Sequence, residues 1–277
     1  MKNRKLPTLV VAVVAAAAAL KTPAFANDGS LAVCADLGAS AGDVALHCRR
    51  AIASGGLSDG QAFGANVNLG EALISLGQPS LAVDAFNAAL ALRPNRIEPV
   101  IGRADALEEM GRMDDAARDW FAAVRIDPGS MDARMGKGAF HLRAGAPAAA
   151  LVEFDNAVRI DREDPDAYFN RGLAHLALGR QSEAERDFTE VLREYPTDAG
   201  AFFQRARARS GANDQGALAD YARAAELAPE WSDPWYLAGR ILDGQGRTNE
   251  ANQRFRRAFE LGHKDPWLLN RITALGG

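Results

Sequence analysis

The amino-acid sequence predicts an all-α solenoid of stacked helix pairs, on three observations. One pattern of residues recurs every 34 positions along most of the 277-residue chain. Within a single period, as from Ala167 to Pro196, apolar residues fall at helical spacing in two stretches separated by Gly179. Ala and Gly make up much of the apolar fraction of 48%, while aromatics reach only 7%. Such a core must be packed closely from small residues, which favours helix on helix.

The chain opens with Lys2, Arg4 and Lys5, an apolar run from Leu6 to Leu20, and the small residues of Ala24-Phe25-Ala26 where a signal peptidase reads. Residues 1–26 are therefore expected to be a cleaved secretory leader. A membrane anchor is the alternative, but a run broken by Pro7 and ended by Lys21 and Pro23 falls short of the ~20 apolar residues that span a bilayer. Leu31-Ala32-Val33-Cys34 loosely resembles a lipid-attachment box, with Val where a small residue is wanted. Cleavage would remove four cations and no acid, taking the formal net charge from -4 to -8. Such a chain offers nucleic acid or an anionic membrane no global attraction. Four His and two Cys leave little material for a metal centre.

Export gives Cys34 and Cys48 a structural meaning, because an oxidising compartment permits a disulfide. Gly38-Ala39-Ser40-Ala41-Gly42 is a turn signal between them, and a hairpin turning at about Ala41 would set the sulfurs opposite each other. A closed loop of this size contributes on the order of 3 kcal/mol. The alternative, a redox-active pair, lacks the CxxC spacing that lowers a thiol pKa.

From Phe63 onward the repeat is explicit. Gly77, Ala82, Phe86, Ala89 and Pro94 return as Gly111, Ala116, Trp120, Ala123 and Pro128. Gly145, Ala150, Phe154 and Ala157 follow, then Gly179, Ala184, Phe188 and Pro196, then Ala217, Tyr221, Ala224 and Pro229, and last Gly246, Ala251, Phe255 and Ala258. A further small residue marks a close-packing position in each copy: Gly70, Ala104, Gly138, Gly172, Ala206 and Gly239. At these offsets the residues resemble the tetratricopeptide repeat signature over 63–265, in copies 63–96, 97–130, 131–164, 165–198, 199–231 and 232–265. The fifth copy is one residue short near Ser210 to Gln215. Arg162 and His263 stand where the terminal proline belongs, Val191 where a small residue does, and the large aromatic near the start of a copy is clear only as Tyr168 and Trp235. The resemblance implies a right-handed superhelix of about six helix-turn-helix repeats whose first helices line a concave surface.

Each position has a physical role. Glycine at Gly179 suits the backbone of the turn between paired helices. Gly172 and Ala184 let the helix axes approach, and Phe188 fills the space between. Pro196 stops the second helix, since it lacks an N–H and disfavours helical geometry at Tyr195. One pair cannot bury its apolar face alone, so neighbours must stack. Residues 27–62 resemble a divergent first unit, with Val44, Cys48 and Ala51 in second-helix positions, forming an N-terminal cap stapled by Cys34–Cys48. Residues 266–277 read as a closing helix, with Trp267 or Leu268 covering the last repeat. No span is left over for a separate catalytic domain.

Partner contacts are expected along the first helices. Their fifth positions are Val67, Ile101, Met135, Phe169, Phe203 and Tyr236, all apolar or aromatic. Their ninth positions are Glu71, Asp105, Ala139, Leu173, Arg207 and Arg240, running from acidic to basic, with Glu108 and Glu109 reinforcing the acidic end. This strip suits an extended or helical peptide, with aromatic anchors giving affinity and the charge gradient setting direction. The alternative is that the apolar members pack against neighbouring helices and the charges form a solvated face. The Lys, Asn and Arg clamp by which some family members grip a terminal carboxylate is not matched.

Other candidate chemistry is weak. His141 and His175 occupy equivalent positions of adjacent repeats, about 10 Å apart, too far to share a metal. Gly136-Lys137-Gly138 lacks the spacing of a phosphate loop. Arg205, Arg207 and Arg209, like Arg254, Arg256 and Arg257, divide between helix faces in solvated or ion-paired roles. The reading is an exported scaffold or adaptor with no catalytic residue, metal or cofactor, binding a protein or peptide and not nucleic acid, with no membrane span after leader cleavage. The periplasm is the expected compartment, with secretion or lipid anchoring as alternatives. A component of an envelope-assembly, secretion or pilus apparatus is the second reading, and an accessory subunit of a cell-wall enzyme the third.

Overall fold

A computed structural model describes residues 29–36 and 38–274; the expected leader, 1–26, lies outside the described residues. Among the described residues there are fifteen α-helices and no strand. They form two compact units that divide between Phe140 and His141.

The first unit holds α1 (Ser30–Cys34), α2 (Ala41–Ser54), α3 (Asp59–Ser75), α4 (Pro79–Leu92), α5 (Glu98–Glu109) and α6 (Met113–Ile126), and the division falls within α7 (Met131–Arg143). The second holds α8 (Pro147–Ile160), α9 (Pro165–Ala177), α10 (Gln181–Glu194), α11 (Ala199–Arg209), α12 (Asp214–Leu227), α13 (Ser232–Gly244), α14 (Thr248–Glu260) and α15 (Pro266–Ala274). No described helix is long and apolar enough to cross a membrane.

The turns inside the helix pairs are near-copies of one another. Gly77, Gly111, Gly179 and Gly246 all sit at left-handed φ between 67° and 74°. The next residue's N–H then returns to the first helix: Gln78 to the Leu73 carbonyl at 2.8 Å, Arg112 to Leu107 at 2.8 Å, Arg180 to His175 at 2.9 Å and Arg247 to Leu242 at 2.9 Å. These bonds satisfy carbonyls that the helix end would otherwise leave bare. In the shortened fifth copy, Gly211 takes the left-handed position at φ 87°. At the far end of the second helix, Tyr195 leaves helical geometry at ψ 76° ahead of Pro196.

The cap forms differently from expectation in one respect. Ala41 is already the first residue of α2, with the Ser40 hydroxyl accepting from the Asp43 N–H, so the turn precedes it. Cys34 and Cys48 are joined, with Cα atoms 4.7 Å apart and both residues buried. Asn68 of α3 donates to the Cys34 carbonyl at 2.9 Å, tying the stapled pair to the next helix. The α3 helix starts at Asp59, ahead of the first repeat's expected start, because Ser58 and Gln61 form a reciprocal capping box.

Rings of the second helices set the packing. A Cβ at Gly70 would lie 2.5 Å from the Phe86 ring and one at Gly102, on the following first helix, 2.4 Å from it. Phe86 thus wedges between two bare backbones. Trp120 meets Gly136 the same way at 2.4 Å, and in the second unit Phe188 meets Gly172 at 2.8 Å and Phe255 meets Gly239 at 2.6 Å. Gly172→Leu is accordingly expected to destabilise the second unit by about 1–3 kcal/mol through overpacking, read as a lowered melting temperature; an unchanged melt would contradict this packing. Leu268 of α15 is fully buried with Ile272 against the last helix pair, whereas Trp267 stays 41% exposed.

A second ladder, of charges, follows the same period. Arg103 makes two hydrogen bonds to Asp119, both 2.7 Å, and one to Asn87 at 2.6 Å. Arg171 grips Asp187 at 2.6 and 3.0 Å and reaches Asp155 at 3.2 Å. Arg205 grips Asp220 at 2.8 and 2.9 Å. Asp119, Asp187 and Asp220 are all buried. Arg103, Arg171 and Arg205 thus each clamp the second helix of their own pair, a planar fork meeting a carboxylate.

Candidate partner-binding faces

In the first unit, Val67 and Met135 are buried, and Ile101 is half-buried against the cluster of Ala104, Leu107 and Trp120. Val67 belongs to a core cluster with Phe63 and Ala89. The ninth positions behave differently. Glu71 Oε1 lies 2.9 Å from where a Gly102 Cβ would stand, beside the Phe86 ring. Against that ring and the bare helix, burial pushes the Glu71 carboxyl up to about 7. Burial likewise lifts Asp105 to about 7, with the charges of Glu71, Glu108, Asp132 and Glu109 adding to it. Glu108 accepts from the Trp120 indole at 2.9 Å. Ala139 is half-buried.

In the second unit, Phe169 and Leu173 are half-buried on the cluster around Ala184 and Phe188. Phe203 lies under the Trp231 ring, centroids 4.3 Å apart, and edge-on to Tyr221 at 5.6 Å. Tyr236 is stacked under His263 at 4.2 Å. Both Phe203 and Tyr236 are 8% exposed. The expected open apolar stripe is thus corrected: Val67, Met135, Phe203 and Tyr236 are core. For Phe203 and Tyr236 the cause is visible, since a ring from the connection after each second helix folds back over the first. Double replacement of Phe169 and Phe203 by alanine would therefore lower stability.

Arg207 and Arg240, at the ninth positions of α11 and α13, are exposed. Arg207 donates to Gln204 Oε1 at 2.8 Å, and Arg240 donates to the Tyr236 hydroxyl at 3.0 Å. Arg240 also lies over the Trp267 ring, 5.0 Å from its centroid. Arg205 and Arg209, which flank Arg207, both bind Asp220. The basic run therefore divides between an ion-paired side and a free one.

Among the described residues no group of three or more His, Cys, Asp and Glu is placed to hold a metal. His175 is buried, its Nε2 3.8 Å from Asp187 and its Nδ1 without a partner, and burial lowers its pKa. It fills core space next to the Arg171–Asp187 pair. The Gly102 and Gly136 seats and the arginine ladder escaped the sequence reading, although each is written at the repeat spacing.

Models of the tetratricopeptide repeat match residues 63–96, 143–179 and 165–198. The chain carries tetratricopeptide repeats. No curated protein matches it in sequence. Among solved structures it resembles PilW, described as a widely conserved type IV pilus biogenesis factor, at 20% identity and TM-score 0.67, over 76% of this chain and 99% of that one. YrrB, described as a tetratricopeptide repeat protein with an unusual peptide-binding site, is 20% identical with TM-score 0.59, over 69% and 99%. A tetratricopeptide repeat protein from Parabacteroides merdae is 19% identical with TM-score 0.60, over 83% and 90%. At such identities the likeness shows a shared fold, that of stacked tetratricopeptide hairpins.

Proposed function

We propose that the protein is an exported, non-catalytic scaffold that binds a peptide or protein partner on the faces of its first helices. The observation that carries this reading is charge left uncompensated at the ninth positions. The first-helix arginines Arg103, Arg171 and Arg205 by contrast meet carboxylates of the second helices in bidentate ion pairs. Among the described residues Glu71 and Asp105 have no cation within ion-pair distance, and Arg207 and Arg240 have no carboxylate. Half-buried acids held near 7 are unfavourable to the fold, and perturbed groups of this kind concentrate at functional sites. Val67, Ile101, Met135, Phe169, Leu173, Phe203 and Tyr236 then shape the surface from beneath, with the half-buried members open to contact.

Export is supported by the leader pattern at residues 1–26 together with the disulfide, which belongs to oxidising compartments. The likeness to a pilus biogenesis factor favours, as a second reading within the same class, a part in envelope or pilus assembly. Selection of displayed random peptides on the immobilised full chain tests the function. A consensus should emerge, and it should be lost on a variant carrying Asp105→Lys and Arg207→Glu. If no sequence is enriched, or if the variant selects the same one, the scaffold reading fails. Terminal sequencing of protein from the periplasmic fraction should begin at Asn27.

A further inference from the structure

In α8, α10, α12 and α14, two residues three apart bond to each other at the same place of the repeat. Asn156 accepts from Arg159 at 2.9 Å, and Arg193 meets Glu190 at 3.0 Å. The order then reverses, with Arg223 meeting Glu226 at 2.8 Å and Arg257 meeting Glu260 at 3.1 Å. In α6 the same two places hold Ala122 and Arg125, and in α4 both are alanine, Ala88 and Ala91. Arg125 thus keeps the cation of Arg159 and Arg193 while its partner is cut back to a methyl group. Among the described residues it has no carboxylate and no hydrogen-bond acceptor, and it is exposed.

Where the partner is short, the surface is hollow. Ala122 and Arg125 line a cavity of about 550 Å³ together with Leu90, Pro94, Val100 and Ile126. The same two residues line a second one of about 360 Å³ with Phe121 and Phe140. Phe121 is a departure of its own. At its place in other copies Asn87, Asp155 and Thr189 accept from Arg103, Arg171 and Arg205 at 2.6, 3.2 and 3.4 Å. Phe121 instead offers its ring to Lys137, 4.8 Å from the centroid, and is 43% exposed. In the larger cavity Arg103 and Asp119 are already bonded to each other, twice at 2.7 Å. One uncompensated guanidinium is therefore set into apolar walls. We propose that α6 carries a small-molecule site, separate from the first-helix faces, for an apolar monocarboxylate whose head meets Arg125 and whose aliphatic chain fills the larger cavity. The volume lies within the range of about 300–1,000 Å³ typical of small-ligand sites, which are apolar with a few placed polar groups. One cation matches one anionic head, and a guanidinium takes a carboxylate in a bidentate pair. A peptide main chain is disfavoured, because its N–H and C=O groups need partners when buried. Beyond Arg125 the polar lining is the Asn95 amide and the Arg103–Asp119 pair.

The test is calorimetric titration of the full chain with decanoate below its aggregation concentration. One molecule should bind per chain, and octanoate should bind about tenfold more weakly, the loss of two buried methylenes. Arg125→Gln should cost about tenfold in affinity, the loss of one charge-assisted contact, with melting as in the parent. Decanol, which has the chain without the charge, should bind the parent no better than decanoate binds that variant. Ala122→Glu gives Arg125 the internal partner that Glu190 gives Arg193, and it should abolish decanoate binding without lowering the melt. Arg186→Gln, an exposed cation of α10, should change nothing. The site is overturned if the parent does not bind decanoate, if Arg125→Gln or Ala122→Glu binds it as the parent does, or if Arg186→Gln weakens it equally. Competition by acetate as strong as by decanoate, or affinity independent of chain length, would overturn the cavity's part. Tighter Arg125-dependent binding of an acetylated peptide ending in a free Ala-Leu carboxylate, or of phosphatidylglycerol vesicles, would overturn the ligand class. The peptide display on the first-helix faces stands or falls separately from all of these outcomes.

Discussion

Replacing Asp220 by alanine is expected to destabilise the second unit by about 3–5 kcal/mol, the penalty for leaving a buried charge without its partner. Asp220 is 4% exposed and accepts from Arg205 at 2.8 and 2.9 Å and from Arg209 at 2.8 Å. Its removal leaves two guanidinium groups wedged between α11 and α12 with one carboxylate between them, Glu185, which reaches Arg209 alone at 2.7 Å. The loss should appear in hydrogen exchange as early opening of α11 and α12, ahead of α9 and α10. A control separates burial from bond length. Arg247 and Glu250 are joined at 2.6 and 2.8 Å, as tightly as the buried pairs, yet their side chains are 45% and 53% exposed. Glu250→Ala should leave the melt unchanged, because water and salt replace an exposed partner. Equal effects of the two substitutions would mean that the ladder does not hold the hairpins.

The helix pairs were legible because their information is local and apolar. Phe86 needs Gly70, Gly179 needs a left-handed turn, and Tyr195 needs to leave the helix ahead of Pro196; each requirement is met within one period. The face of the first helices was less legible. Whether Phe203 is open depends on Trp231, and whether Tyr236 is open depends on His263, rings in connections that the helical pattern does not reach. Those caps turn two expected anchors into core. The ladder was written in the sequence all along, as Arg103, Arg171 and Arg205 against Asp119, Asp187 and Asp220, but a search for apolar periodicity passes over charged residues. Gly102 escaped for a related reason: its role comes from the ring of the preceding repeat, and repeats examined singly do not show what lies between them. Of the ninth-position charges the sequence shows the sign, while only packing shows which lack a counter-charge.

Stability of the first unit should fall as pH rises from about 4 to about 8, opposite to the behaviour of a fold held by salt-bridged carboxylates. Burial lifts Glu71 from 4.5 to about 7. Asp105 rises from 3.8 to about 7, through burial and then the neighbouring charges of Glu71, Glu108, Asp132 and Glu109. Between the unfolded and folded values the folded state holds more protons than the unfolded chain, so the slope of unfolding free energy against pH is negative. Below about 4 both states are protonated and the contribution is flat; above about 8 both are ionised and the full penalty is present. For Glu71 alone this amounts to about 3 kcal/mol, and the two carboxyls together fall short of the sum, because neutralising one relieves the other. Glu71→Gln should therefore raise stability at pH 8 by about 2 kcal/mol, leave it little changed at pH 4, and flatten the profile; Asp105→Asn should do the same. Hydrogen exchange along α3 to α6, followed against denaturant, reports this unit locally. A parent whose midpoint is constant from pH 5 to 8, or a Glu71→Gln variant that melts earlier at pH 8, would show that these carboxyls are solvated and carry no stored repulsion. If the slope is found, a cationic partner that binds beside Glu71 and Asp105 must lower both pKa values. Its affinity should then rise with pH over the same interval in which the free fold weakens.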